Sequence, residues 1–187
     1  VGAKAEDKTC RSTEWYTPPE ILAPVRAFFG GEIPFDPANA SHNPTAARTY
    51  CTKEGYFANG KRMLPQDGLS MPWAGRWVFV NPPYGEGMRD WLAKIHEEAK
   101  TFTPIIGLLS CTYRIGTRYW AELVWPRTDA VCFVNGRVAF IDESGQKVTG
   151  NTHPSMLLGW NVPMTRFVEA FGSLGACFAQ ARKGGAP

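Results

Sequence analysis

Asn81-Pro82-Pro83-Tyr84-Gly85 follows directly on the apolar run that ends at Val80. In this order, these residue types can orient a planar amine. An exocyclic amine on a heteroaromatic ring, or an amide nitrogen, is a poor nucleophile because its lone pair is delocalised. To alkylate it, a protein must accept its protons and hold the lone pair toward an electrophile. Asn81 offers a side-chain carbonyl oxygen for one N–H. Pro82 offers a main-chain carbonyl for the other, in a direction fixed by the two proline rings. Tyr84 supplies a flat face on which a planar group can stack, as flipped bases do. Asn81 is neutral, so its task is orientation rather than proton abstraction, and no metal is required. A rigid turn of purely structural purpose is the competing reading.

The elements that must position these residues are legible in part. Thr17-Pro18-Pro19-Glu20 reads as a capping box with proline in the first turn. The helix it opens shows Ile21, Leu22, Val25 and Phe28-Phe29 on one side and stops at Gly30-Gly31. A short strand over 33–35 ends at Asp36-Pro37. Residues 38–75, rich in Asn, Pro and Gly, read mostly as loop. Residues 76–80 form a buried strand, and Met88, Trp91, Leu92, Ile95 and Ala99 recur at helical spacing. Further elements are a strand over 104–109, a helix over 118–125 stopped by Pro126, a strand over 155–160 and a helix over 165–171. Two apolar runs within 130–142 meet at Asn135-Gly136, the strongest short hairpin signal. Strand–helix alternation implies an α/β fold with a mostly parallel sheet and an antiparallel edge hairpin. Asn81 to Tyr84 then lies at the carboxyl end of a strand, where open α/β sheets bind ligands.

The 187 residues suffice for one domain with a proper core. We expect that domain over 14–181, with flexible segments at 1–13 and 182–187. At 44% hydrophobic residues the chain is not disordered, and no stretch reaches the apolar length of a membrane span. Residues 1–13 show no signal-peptide core, so the expectation is a soluble, cytoplasmic protein. The cysteines at 10, 51, 111, 132 and 177 form no CxxC, and the histidines at 42, 96 and 153 have no ligand spacing. Reduced buried thiols are expected rather than disulfides or zinc. A net charge of +3 is compatible with nucleic acid without arguing for it.

NPPY resembles the (D/N/S)-PP-(Y/F) motif of S-adenosylmethionine-dependent amino-methyltransferases. Together with EWYTPPEIL, DPANASHN, QDGLSMPW and GRVAF in this order, it makes the chain similar to the phage-type DNA N6-adenine methyltransferase (Dam-like) family over most of residues 14–160. The resemblance implies a Rossmann-like methyltransferase fold with S-adenosylmethionine as cofactor. It places Trp15, Tyr16, Thr17 and Pro18 at the methionine end of the cofactor, whose carboxylate the adjacent helix start can also receive. Asp36 and Ala38 begin the element that meets the amino-acid portion, Asp67 sits beside the adenine, and Asn81 borders the transferred methyl group. The family's glycines after DPA are absent here; Ala40 and Ser41 are the small residues in their place. No acid clearly takes the ribose position, Glu54 being merely available.

On the substrate side the implied partner is DNA, with the target adenine flipped out of the duplex. Candidate DNA contacts are Arg62, in the loop-borne cluster Asn59-Gly60-Lys61-Arg62; Arg114 and Arg118, after the 104–109 strand; and Arg137, after the hairpin turn. Exposed arginines are ordinarily solvated surface. Nothing resembles a separate target-recognition domain, and the loops 39–75 and 111–120 are the only ones long enough to read base edges. A monomer or weak homodimer is the expected state. Two alternatives share the motif: an NPPY-type methyltransferase acting on RNA or protein glutamine, and a catalytically inactive nucleic-acid-binding module of the same fold.

Overall fold

The structure is a computed structural model and describes residues 15–85, 87–110, 115–151 and 153–180. The terminal segments expected to be flexible, 1–13 and 182–187, lie outside the described residues. Among those residues four helices flank one sheet: α1 (Pro19–Phe29), α2 (Met88–Lys100), α3 (Arg118–Leu123) and α4 (Met164–Phe171). The strands are β1 (Phe35–Asp36), β2 (Thr49–Thr52), β3 (Gly55–Ala58), β4 (Lys61–Leu64), β5 (Val78–Val80), β6 (Ile105–Leu109), β7 (Thr128–Val134), β8 (Met156–Trp160) and β9 (Gly175–Ala179). Their order is β4-β3-β2-β1-β5-β6-β8-β7-β9.

Alternation along the central strands sends side chains to two apolar layers. Val78, Val80, Ile105 and Leu109 face Trp91, Leu92 and Ile95 of α2 and Trp120 of α3. Phe79, Ile106 and Leu108 face Ile21, Leu22, Val25 and Phe28 of α1 and Phe167 and Phe171 of α4. Covered on both faces, these strands read as continuous apolar runs, which is why the sequence reveals them. No helix among the described residues is long and apolar enough to cross a membrane.

Four expectations need correction. The sheet is not mostly parallel. Only β1–β2, β1–β5 and β5–β6 pair in parallel, while five pairings on the two flanks are antiparallel. The hairpin at Asn135-Gly136 does not form either. Both edges of β7 are taken, by β8 and by β9, so the apolar run after the turn finds no free strand. It buries Val138 and Phe140 instead and pairs as two isolated bridges, Tyr16–Ile141 and Ile141–Lys147. Within the presumed loop 38–75, β2, β3 and β4 form an antiparallel meander. These strands are only four residues each, and burial falls from β2 outward until β4 is exposed along its whole length, so no period marks them in the sequence. Finally, no capping box is made. Pro18 is the N-cap of α1, with no side-chain cap bond, and its carbonyl accepts from Ile21 and Leu22 N–H at 3.0 Å each. Glu20 turns to Lys147, with Nζ to its two oxygens at 2.9 and 3.1 Å.

Candidate active site

Parallel pairing brings the carboxyl ends of β1 and β5 together, so Asp36 and Asn81 meet at one edge of the sheet. A cleft of about 490 Å³ opens there, lined by residues 15–17, 36–42, 51–54, 67–69 and 81–84 together with Pro44, Thr45 and Trp91. Of the residues singled out in the sequence for catalysis or cofactor contact, only Pro18 lies outside this lining. Its place is the helix cap.

At one end of the cleft the Asn81 and Tyr84 side chains are held by hydrogen bonds. Asn81 Nδ2 donates to the Trp15 carbonyl at 3.1 Å and to Thr17 Oγ1 at 3.2 Å. Its Oδ1 accepts from the Tyr84 hydroxyl at 2.9 Å. That hydroxyl also lies 3.2 Å from the Leu108 carbonyl and accepts from Ser110 N–H at 3.2 Å. The Tyr84 ring stands edge-on to Phe140, the centroids 6.2 Å apart. Pro82 is buried and Pro83 exposed. Gly85, at φ +124°, adopts a backbone conformation that side chains resist, letting the chain turn away after the tyrosine. Tyr16 holds the neighbouring segment in place: its N–H donates to Ile141 O at 2.8 Å, and Ile141 N–H donates back at 3.0 Å. The Tyr16 ring meets His42 in a T-shaped contact at 4.7 Å.

At the other end sits a buried acid. Asp36 is 2% exposed; Oδ1 accepts from Ala38 N–H at 3.0 Å and Oδ2 from Thr45 Oγ1 at 2.9 Å. Burial pushes its pKa up to about 7, against the pull of these two bonds. Among the described residues no ion pair to it forms. The glycine-free loop that follows is turned by Asn43 and Ala46, both at φ +51°. Asparagine adopts this region with least cost. Its braces are side chains: Asn39 Nδ2 donates to Asn43 Oδ1 at 2.6 Å and to Thr45 Oγ1 at 2.9 Å, and Asn43 exchanges bonds with Ala47.

Two further acids differ in character. Asp67 Oδ1 accepts from Ser70 N–H at 2.8 Å and Ser70 Oγ at 2.7 Å, which holds its pKa below the usual range and ties the 67–71 turn. Gly68 matters more than its neighbour here, because a Cβ would lie 1.9 Å from the Pro37 carbonyl oxygen. The two loops thus touch backbone to backbone. Glu54 is the acid that sequence reasoning left unassigned. It follows the carboxyl end of β2, lines the cleft, and is kept ionised by a hydrogen bond from the Thr52 hydroxyl. Without β2 recognised, its position after a second strand could not be read. Among the described residues no cluster of three metal-ligating side chains occurs.

The candidate DNA contacts separate. β8 is antiparallel to both β6 and β7, so β7 ends on the same edge as β6. Arg137, just after β7, therefore lies on the cleft edge and is exposed; Arg118, at the start of α3, is exposed as well. Arg118 Nε binds Glu122 at 2.7 Å. Arg114 falls outside the described residues. The Asn59-Gly60 tip is at the opposite edge, because β3 runs back from the cleft, and the charge of Arg62 on β4 acts on Glu54. Lys53, which lines the cleft, is a cation the sequence reading missed. A third long excursion was also missed: residues 135–155 begin and end on the cleft edge and carry Phe140 against Tyr84.

The sequence matches the family model for DNA N-6-adenine-methyltransferase (Dam) over residues 4–177. It is also 24% identical over 157 residues to a DNA N-6-adenine-methyltransferase of Haemophilus phage HP1 (strain HP1c1), covering 83% of this chain and 82% of that one.

Proposed function

Because this chain belongs to the Dam family of DNA N-6-adenine-methyltransferases, we propose that its cleft moves a methyl group from S-adenosylmethionine to the N6 amine of an adenine flipped out of DNA. The observation that carries this reading is the Asn81 amide, bonded on its nitrogen side and adjoining a cleft that ends in a buried carboxylate.

S-adenosylmethionine supplies, when bound, an electrophilic methyl group on a sulfonium centre. The residues present suit it. Asp36 is a buried acid short of a counter-charge, the partner that an ammonium group provides. Glu54, ionised after β2, is placed to accept from ribose hydroxyls. Residues 67–69 would border the adenine, and Trp15 and Tyr16 the methionine end. The rest of the work falls to the chain's own groups. Asn81 Oδ1 retains a lone pair beyond the one engaged by Tyr84, and takes one N–H of the substrate amine. The Pro82 carbonyl takes the other. Tyr84 offers its face to the base, and Phe140 backs the ring. The gain is positional: the amine is held with its lone pair facing the electrophile, and no basic group is needed. On the DNA side, Lys53, which lines the cleft, Arg137, which follows β7 at the same sheet edge, and Arg118 are the cations that would meet phosphates. Kinship with a phage enzyme supports action in the cytoplasm of a host cell.

The test offers purified protein radiolabelled S-adenosylmethionine with unmethylated DNA, RNA or cell protein in separate reactions. Label in DNA, recovered as N6-methyladenosine and absent for Asn81→Ala, is the expected result. Label confined to RNA or protein would overturn the substrate, and no label with no cofactor binding would overturn the chemistry.

A further inference from the structure

Thr17 was expected to cap α1 and does not, and its actual partner gives it a different task. The side chain is 3% exposed and makes no cap bond. Its Oγ1 receives Asn81 Nδ2 at 3.2 Å, while the Trp15 carbonyl receives the same nitrogen at 3.1 Å. We propose that Thr17 is a positioning residue for methyl transfer: the Trp15 carbonyl, an acceptor only, sets which way round the Asn81 amide sits, and the Thr17 hydroxyl takes the second N–H and holds the amide there. The inference rests on Asn81 being the acceptor of the substrate amine.

An amide side chain has nearly the same shape after a half-turn, so packing alone does not choose its orientation. The hydrogen-bond partners do. In the observed orientation the two N–H groups meet two acceptors, and the oxygen meets the Tyr84 hydroxyl. After a half-turn the oxygen would face the Trp15 carbonyl, acceptor against acceptor, and the nitrogen would take the place of the oxygen toward the substrate. A donor would then confront the N–H of the adenine amine, which has nothing to offer it. The Trp15 carbonyl is itself immobilised, because the N–H of the same peptide unit is bonded to Ile141 at 2.8 Å. Thr17 supplies the second acceptor from the first turn of chain before α1. It acts through Asn81 and not by touching the base.

Single-turnover methylation of DNA at saturating S-adenosylmethionine, with cofactor affinity by calorimetry, compares wild type with Thr17→Val and Thr17→Ser. Valine keeps the shape and loses the acceptor, so the rate should fall roughly tenfold, or about 1.4 kcal/mol. Cofactor affinity should stay within about twofold, and serine should restore the rate to within about twofold. A second readout needs no turnover. The two side-chain N–H signals of Asn81, assigned by their absence in Asn81→Ala, should shift and exchange faster with solvent in Thr17→Val. Loss of cofactor affinity with an unchanged saturated rate would overturn the proposal, as would a serine variant as slow as valine or unmoved amide signals. Should wild type label no DNA at all, the reading of Asn81 fails, and the amide signals still decide whether Thr17 holds that side chain.

Discussion

The two ends of the cleft solve opposite problems. At the NPPY end both polar atoms of the Asn81 side chain have partners before any ligand arrives, and the residue carries no charge. At the Asp36 end a carboxyl is buried with two neutral donors and, among the described residues, no cation paired to it, and its pKa is driven up to about 7. A neutral group that must only point is best locked in advance, since locking removes the entropy cost from the reacting state. A charged group that must bind is more useful left undercompensated, since the missing charge is what the ligand brings. The difference assigns chemistry to one end and affinity to the other.

Substitutions should separate the two. Asn81→Ala should have the largest effect, lowering the transfer rate by roughly a hundredfold or more while leaving cofactor affinity within about tenfold. Asp36→Asn should do the reverse, weakening cofactor binding by roughly tenfold to a hundredfold through loss of a buried charge pair. It also carries a signature in the ligand-free protein. The folded pKa of Asp36 lies near 7 against an ordinary 3.8, so between those values the folded chain holds a proton that the unfolded chain has lost. This contribution to stability is fully present below the lower value, falls as pH rises through the window, and is gone above about 7. Thermal melts from pH 4 to 8 should show that decline in wild type and a flatter profile in Asp36→Asn, with the variant melting higher at pH 8. Glu54→Gln should cost less, roughly fivefold in cofactor affinity by titration, because the group is exposed and its loss is screened by water. Arg137→Ala should be smallest, lowering the salt dependence of DNA binding by about one unit of slope without changing cofactor affinity.

What the sequence shows of this architecture follows burial. β5, β6 and β8 are buried along their length, and α1 and α2 carry clear apolar faces, so each is legible. NPPY is legible for a different reason, because its residue types are costly as a mere turn. β4 and β9 lie at the sheet edges, where neither apolar runs nor strict alternation survive, and both escape notice. Glu54 is hidden with them, since its place is defined only by β2. The Asn135-Gly136 turn misleads because a local signal cannot report that β7 has no free edge. Thr17 misleads in the same way: the capping pattern is local, and its real partner is 64 positions distant. The family's glycines are absent after Asp36, and the loop reaches its turns with Asn43 and Ala46 and holds them with side-chain bonds.

The most direct test of the division between the two ends is to measure cofactor affinity and saturated single-turnover rate on DNA for both Asn81→Ala and Asp36→Asn. The account predicts a crossed pattern, in which the first variant binds S-adenosylmethionine and fails to transfer, and the second binds poorly and transfers at near the wild-type rate once saturated. If both quantities fall together in both variants, the ends do not divide binding from chemistry and the assignment of Asn81 as the amine's acceptor is wrong.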